Sequence, residues 1–393
     1  MHTFHVVFYK ILQFLVRIWF SVSGTFRCSG KDPKASPVLV LTNHNTNWDF
    51  LYFGASFKKH MYYVASEHIF RSGLVSSLIR FLVSPIARKK GASSADTVAE
   101  IKRRLSLGYN VCMMADGNRS FSGETGYISP ATAALVKECG AGLATFRLHG
   151  GYFVNPRWSR ETRKGRIWGE IAAYYTAEQI AAMSEDEVYS ILCCDLYVNA
   201  YEDQKEKNYS YRSKAPAETL ETALFACPAC KSFASLKSNA DRLICESCGR
   251  ELKFTDKGYF VSEEGSKPEF EDILSWSEWQ KDLLKKHIEN LSEGDLIRSD
   301  EGAGLYLVHP QEGKVLLAEG RIALYKDRLV FTSGGKTVRS FPAESIKSLA
   351  VILVNTMLFT AEDGYYEVKL PKRASALHYM ISYYYINGKE YKR

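Results

Sequence analysis

Between Ser36 and about Ala200, short apolar runs alternate with longer stretches in which apolar residues recur every three to four positions. The short runs read as buried strands and the longer stretches as amphipathic helices. Strands are predicted at 38–42, 61–65, 110–114, 142–148 and 165–171, and helices at 48–57, 75–82, 94–107, 130–139 and 185–201. Alternation of this kind builds an α/β layer domain. Residues 202–215, charged and rich in tyrosine, read as a linker, and 270–288 as a helical connector.

The pattern then changes. Short alternating or apolar runs at 305–309, 314–325, 328–332, 337–341, 348–354, 357–360 and 365–370 are joined by turn dipeptides such as Gly334-Gly335 and Asp363-Gly364. An amphipathic helix at 375–386 follows and ends at Asn387-Gly388. Six or seven antiparallel strands closed by one helix resemble, in architecture alone, a pleckstrin-homology or GRAM-like β-barrel. Modules of that kind often contact lipid head groups or peptides, but a fold does not assign a function.

At the other end, residues 4–20 are strongly apolar, and Lys10, Gln13 and Arg17 fall on one narrow helical stripe. Such a helix would be about 25 Å long, short of a hydrocarbon core of ~30 Å. The expectation is therefore an interfacial helix lying on a membrane, with Lys10 and Arg17 reaching up to head groups. The competing expectation is a helix packed on its own chain.

Composition narrows the partners. A net charge of +7, spread along the chain, favours anionic ligands without choosing among phospholipid, phosphorylated substrate and nucleic acid. The nine cysteines include two Cys-x-x-Cys pairs, Cys227/Cys230 and Cys245/Cys248, separated by fourteen residues. Two such knuckles supply four thiolates to a tetrahedral zinc ion. With all four ligands cysteine, no coordination position stays open, so the zinc is expected to be structural and to replace a core that so short a segment lacks. Cys28, Cys112, Cys139, Cys193 and Cys194 read as buried thiols. The expected order is an N-terminal membrane-associated helix at 1–30, an α/β domain at 31–215, a zinc ribbon at 220–262, a helical connector at 263–295 and a β-barrel at 296–393.

The candidate chemistry sits where strands end. The strand at 38–42 runs into Asn43-His44, and Asp49 follows five residues after the histidine. On one continuous helix that spacing is about 140° around the axis, so the side chains meet only if His44 lies on a loop and Asp49 folds back from the first helical turn. Thr46 and Asp49 have the spacing of a capping box, which places a helix start between them. Asp49 acting only as a cap, beside an ordinary loop histidine, is the alternative. A second strand, at 110–114, runs into Asp116-Gly117-Asn118-Arg119-Ser120, a carboxylate, a permissive glycine, a guanidinium fork and a hydroxyl suited to phosphate. Strand ends that converge on one edge of an α/β sheet are where ligands bind. Between the two motifs lies a basic cluster containing Arg88, Lys89 and Lys90.

Taken together, these blocks resemble the glycerolipid acyltransferases, which include the lysophosphatidic acid acyltransferases. The resemblance covers about 39–153. Asn43, His44 and Asp49 match a His-x4-Asp motif, Arg88 a second-motif arginine, and Asp116 to Ser120 an acidic-Gly-x-Arg-Ser block in which Asp116 stands for the usual Glu. Residues 141–148 occupy the place of a fourth, apolar block. The resemblance implies that His44 and Asp49 activate an acceptor hydroxyl while Arg88, Arg119 and their neighbours grip its phosphate. It implies a lysophospholipid acceptor, an acyl-CoA or acyl carrier protein donor, and a site at the cytoplasmic face of the cell membrane. No Cys or Ser stands beside His44 in sequence, so a covalent triad is not indicated. Oxyanion donors are expected near Asn43 or Gly117. Two other readings compete. One is a nucleic-acid-binding or scaffold protein using Lys231, Lys237, Arg242 and Arg250 of the ribbon. The other is a lysophospholipid-binding protein without turnover.

Overall fold

The computed structural model describes residues 2–33, 35–67, 74–88, 94–262, 267–309 and 313–391. Lys89 and Lys90 of the basic cluster lie outside the described residues. The N-terminal half runs α1 (His2–Ser23), β1 (Phe26–Ser29), β2 (Val38–Thr42), α2 (Asp49–Ser56), β3 (Met61–Ser66), α3 (Leu74–Val83), β4 (Ile86–Arg88), α4 (Ala95–Ser106) and β5 (Asn110–Met114). It continues through α5 (Pro130–Glu138), β6 (Gly142–His149), α6 (Gly151–Val154), β7 (Ile167–Tyr175), α7 (Ala177–Ala182), α8 (Glu185–Leu196) and α9 (Ala200–Lys207).

The sheet order is β1-β7-β6-β2-β5-β3-β4, which puts β2 at the centre. It lies parallel to both neighbours, β5 and β6, so their C-terminal ends share one edge. All five β2 residues are buried, as expected of a strand covered on both faces. Val38 and Val40 pack into a core with Tyr52 and Phe53 of α2. Leu39 and Leu41 pack on the other face with Ile101 of α4, Leu135 of α5 and Leu192 of α8.

Sequence periodicity misses β1 and β4, which at four and three residues are too short to show a repeat. The expected helix at 185–201 breaks after Leu196, because Asn199 turns its side-chain oxygen to the N–H groups of Tyr201 and Glu202 and starts α9. The expected linker is instead α9 followed by a packed segment, in which Tyr211 is buried and Arg212 bridges Lys164. Of the five cysteines expected to be buried, only Cys112 is; Cys28, Cys193 and Cys194 are exposed and Cys139 is partly so.

Beyond the α/β layer lie the four strands β8 (Leu236–Asn239), β9 (Arg242–Cys245), β10 (Glu251–Phe254) and β11 (Phe260–Val261), then α10 (Ile273–Glu289). The last region comprises β12 (Leu296–His309), β13 (Gly313–Tyr325), β14 (Arg328–Ser333), β15 (Lys336–Pro342), β16 (Ser348–Ile352), β17 (Thr356–Ala361), β18 (Gly364–Lys369) and α11 (Ala376–Ile386). Its seven strands form an antiparallel sheet ordered β15-β14-β13-β12-β18-β17-β16. The expected barrel is not closed: among the described residues no ladder joins the edge strands β15 and β16, while α11 packs against β16 and β17. The regions share one apolar core, which runs from Phe26 through Trp158, Phe254 and Trp276 to Phe359 and Tyr383. Polar seams add to it, with Trp276 Nε1 donating to the Ala226 carbonyl at 2.9 Å and Ser375 Oγ to that of Thr222 at 2.7 Å.

The N-terminal helix reverses its expected orientation. At 22 residues it is about 33 Å long, so length does not argue against spanning a bilayer. Its polar stripe faces inward, onto the C-terminal end of α2. Gln13 donates to the carbonyls of Gly54 and Phe57 at 2.6 Å each, and Arg17 to those of Ala55 and Phe57 at 2.9 and 3.2 Å. Lys10 reaches the Lys58 carbonyl. Helix C-termini leave carbonyls unsatisfied and carry partial negative charge, so cations and amide donors belong there. Lys10 and Arg17 therefore bind backbone rather than reaching out to head groups. The apolar face turns outward, with Val7, Ile11, Phe14, Leu15, Trp19 and Val22 each more than half exposed. The Gln13→Leu substitution, although more apolar, is expected to lower the stability by ~1–3 kcal/mol, because the buried Gly54 carbonyl loses its side-chain donor and the Phe57 carbonyl keeps only Arg17. Thermal unfolding of the variant beside Ile11→Ala, an exposed control, checks this.

Candidate active site

The loop after β2 is organised by one carboxylate. Asp49 is the first residue of α2 and is buried. Its Oδ2 accepts from His44 Nδ1 at 2.7 Å and from the Asn45 N–H at 2.8 Å, and its Oδ1 accepts from the N–H and hydroxyl of Thr46 at 2.8 and 2.6 Å. The helix start falls where the Thr46/Asp49 spacing placed it, but Thr46 is not the cap residue. That place is held by Trp48, and Asp49 reaches backward to close the turn. The carboxylate thus holds the loop and fixes the ring: with Nδ1–H donating to Asp49, Nε2 is the basic nitrogen.

Asn43 takes a different role from the expected one. It is buried, its amide donates to the Leu148 carbonyl at 2.9 Å, and its oxygen accepts from the Leu148 N–H at 2.8 Å. That pair splices the end of β2 to β6. The second motif hangs from the first through backbone contacts: the Ala115 N–H donates to the Thr42 carbonyl at 2.8 Å, the His44 N–H to Asp116 Oδ2 at 3.1 Å and the Ser120 N–H to the His44 carbonyl at 3.3 Å. Gly117 has a left-handed φ of 63°, and a Cβ there would meet nothing within 4 Å. The turn's dihedral, not close approach of backbone to ligand, is what calls for glycine. The N–H of Gly117 is engaged by the Met114 carbonyl and the Asn43 side chain by Leu148, so an oxyanion donor near either position would be another group.

His44, Asp49, Arg88, Asp116, Gly117 and Arg119 line one cavity of about 1230 Å³. Asn43, Asn118 and Ser120 do not. Ser120 instead takes the N–H of Gly123 onto its hydroxyl at 2.8 Å. Arg88 ends β4, and burial lowers the pKa of its guanidinium. Among the described residues no ion pair joins Asp116 to Arg119; Arg119 donates instead to Asn155 Oδ1 at 2.7 Å, and burial pushes it down to about 10. Burial likewise pushes the Asp116 carboxyl up to about 8, so it carries little charge at neutral pH.

Two residues at this site escape sequence reasoning. Asn155 holds Arg119 and also accepts from the Asn47 N–H at 3.3 Å, while Arg157 donates to the Arg119 carbonyl at 2.9 Å and stacks 4.2 Å over the Phe121 ring. Their one outward sign is the polar Asn155-Pro156-Arg157 after an aromatic run, and no spacing rule marks it.

The ribbon cysteines converge as expected. Their four sulfurs lie within 4.8 Å of one another, and the Cys227–Cys248 and Cys230–Cys245 pairs are each 3.7 Å apart. A tetrahedral zinc site with ~2.3 Å bonds calls for sulfurs about 3.8 Å apart, so the cluster fits the ion. Three of the four ribbon cations are neutralised locally, as Lys237–Glu246, Arg242–Glu251 and Arg250–Glu269. That leaves little for a nucleic-acid backbone to bind.

Residues 25–149 match a family model described as Acyltransferase. The chain carries an acyltransferase-family domain. The match spans all four motif blocks and agrees with the resemblance to glycerolipid acyltransferases. No curated protein matches the chain. Among solved structures, the crystal structure of the 1-acyl-sn-glycerophosphate (LPA) acyltransferase PlsC from Thermotoga maritima is similar over 47% of this chain and 76% of its own, at 15% identity and a TM-score of 0.40.

The acyltransferase domain makes a pH-dependent prediction. Between about pH 4 and pH 8 the folded state keeps the Asp116 proton that the unfolded state has lost, so unfolding releases a proton and stability falls as pH rises. Asp116→Asn keeps an acceptor for the His44 N–H and removes this term. Its stability relative to wild type is expected to climb with pH across that window, by at most about 1.4 kcal/mol per pH unit, in denaturant titrations at a series of pH values.

Proposed function

We propose that this acyltransferase moves a fatty acyl group from a thioester, acyl-CoA or acyl carrier protein, to the hydroxyl of a lysophospholipid such as 1-acylglycerol-3-phosphate, a step of phospholipid biosynthesis. The observation that carries the reading is the 2.7 Å His44–Asp49 contact, held beside Arg119 in a cavity large enough for lipid. His44 Nε2 takes the proton as the acceptor oxygen attacks the thioester carbonyl, and Asp49 stabilises the imidazolium. The C–O bond forms, the C–S bond breaks, and the imidazolium returns its proton to the departing thiolate. Arg119, with Arg88 lining the same cavity, is suited to the acceptor's phosphate. An uncharged Asp116 adds no repulsion against that anion.

The apolar outer face of α1, continued by exposed Trp48, Phe50, Leu78 and Phe81, supports a peripheral or monotopic protein on the cytoplasmic face of the cell membrane. Both lipid substrates reside there. In the ribbon, zinc would be held by Cys227, Cys230, Cys245 and Cys248, where it supplies folding energy and takes no part in acyl transfer. A lipid-binding protein without turnover is disfavoured by the assembled His44–Asp49 pair.

Labelled acyl-CoA with a panel of lysophospholipids tests the reading. Wild type is expected to transfer, and His44→Ala to lose roughly 10²–10⁴-fold in kcat; equal activity in the two would remove His44 from the mechanism. For the ribbon, metal analysis is expected to find one zinc per chain. Cys248→Ser is expected to shed it and destabilise the protein by on the order of several kcal/mol, read as a lower melting temperature; a metal-free wild type of unchanged stability would refute the structural zinc.

A further inference from the structure

The cavity wall contains a piece of the C-terminal region that the acyltransferase domain does not supply. The β16–β17 turn brings Ile352, Leu353, Val354 and Asn355 to the same cavity as His44 and Arg119. Arg157 fastens it there. Besides the Arg119 carbonyl, its guanidinium donates to the carbonyls of Val351 at 2.6 Å and Leu353 at 3.3 Å. This buried cation, pushed down to about 9 by desolvation, spends its fork on three carbonyls of two distant segments. The turn's other side is pinned by Asn355, whose carbonyl accepts from the Leu370 N–H at 2.8 Å and whose amide donates to the Pro371 carbonyl at 3.3 Å.

Within this turn Leu353 has a left-handed φ of 53°, yet its side chain is 60% exposed and lines the cavity. Glycine would sit there without strain, so neither the backbone nor core packing calls for leucine. A strained residue held by its surroundings, with its side chain presented to a cavity, is the pattern of a ligand contact. Its place is set by Arg157, which links it to the backbone of Arg119, the phosphate end of the cavity. Ile352, Leu353 and Val354 place hydrocarbon at this stretch of the wall, and a polar substituent pressed against it gives up water for no hydrogen bond from these side chains.

We propose that the Leu353 turn closes the head-group end of the acyl-transfer cavity and selects acceptors whose phosphate carries no further substituent. The proposal rests on the lysophospholipid reading above, and two readouts keep the two apart. The first is transfer. With Leu353→Gly, which suits the dihedral, the ratio of kcat/KM for lysophosphatidic acid over lysophosphatidylglycerol is expected to fall roughly tenfold. The second needs no turnover. In the full chain carrying Leu353→Cys, lysophosphatidic acid is expected to protect the introduced thiol from N-ethylmaleimide, read peptide by peptide by mass spectrometry so that the native exposed cysteines do not interfere. Transfer by wild type, with an unchanged ratio in Leu353→Gly, overturns the selection and leaves acyl transfer standing. Equal labelling with and without lipid overturns the placement of the turn. Wild type that acylates no lysophospholipid overturns the acyl-transfer reading and the selection with it, while thiol protection still decides whether the turn borders the lipid.

Discussion

The structure around His44 depends on the buried carboxylate of Asp49. Four donors converge on it, from His44, Asn45 and Thr46. A charge removed from water is tolerable only when its lone pairs are filled, and here the filling groups are the loop itself. The carboxylate therefore does two things through one set of contacts. It gives the backbone between β2 and α2 its shape, and it fixes which imidazole nitrogen is basic. Because the Asp116–Ser120 loop is hung from the main chain of Thr42 and His44, through its own backbone and the Asp116 carboxyl, the placement of Arg119 follows from the same anchor.

The second constraint comes from outside the acyltransferase domain. Asn155 sets the direction of Arg119, and Arg157 ties the Arg119 backbone to a turn nearly two hundred residues further along the chain. The C-terminal sheet is not tethered to an independent enzyme. It is continuous with the same core, and its β16–β17 turn forms part of the cavity. The ribbon lies between them, joined to α10 and α11 through buried hydrogen bonds.

Much of this was legible in the sequence where the signal is local. The central strands at 38–42 and 110–114 announce themselves as aliphatic runs ending in polar loops, and the cysteine pairs announce a ribbon by spacing alone. The His44–Asp49 contact was legible because five residues is a distance that only a loop-to-helix corner can close. Side-chain direction was not. The stripe of Lys10, Gln13 and Arg17 has the same periodicity whether it faces lipid head groups or the carbonyls of α2, and only the partner helix decides. The role of Asn43 was misjudged for a related reason: its splice to Leu148 joins residues more than a hundred positions apart. Asn155 and Arg157 carry no motif because what they hold, a side chain in one case and three carbonyls in the other, is defined only in the folded chain. The open edge between β15 and β16 was equally invisible, since strand count and turn chemistry do not say whether a sheet closes.

The inward stripe of α1 has a mechanical consequence. Helix α2 is a rod of eight residues, about 12 Å long, gripped at its C-terminal end by Gln13 and Arg17 and carrying Asp49 at its first position. Whatever orders or displaces α1 therefore acts, through so short a lever, on the group that aims the imidazole. Linkage makes such coupling reciprocal. An apolar surface that favours the seated form of α1 would also favour the assembled His44–Asp49 pair, and filling the cavity beside His44, which α1 helps to wall, would in turn tighten the hold of the outer face on that surface.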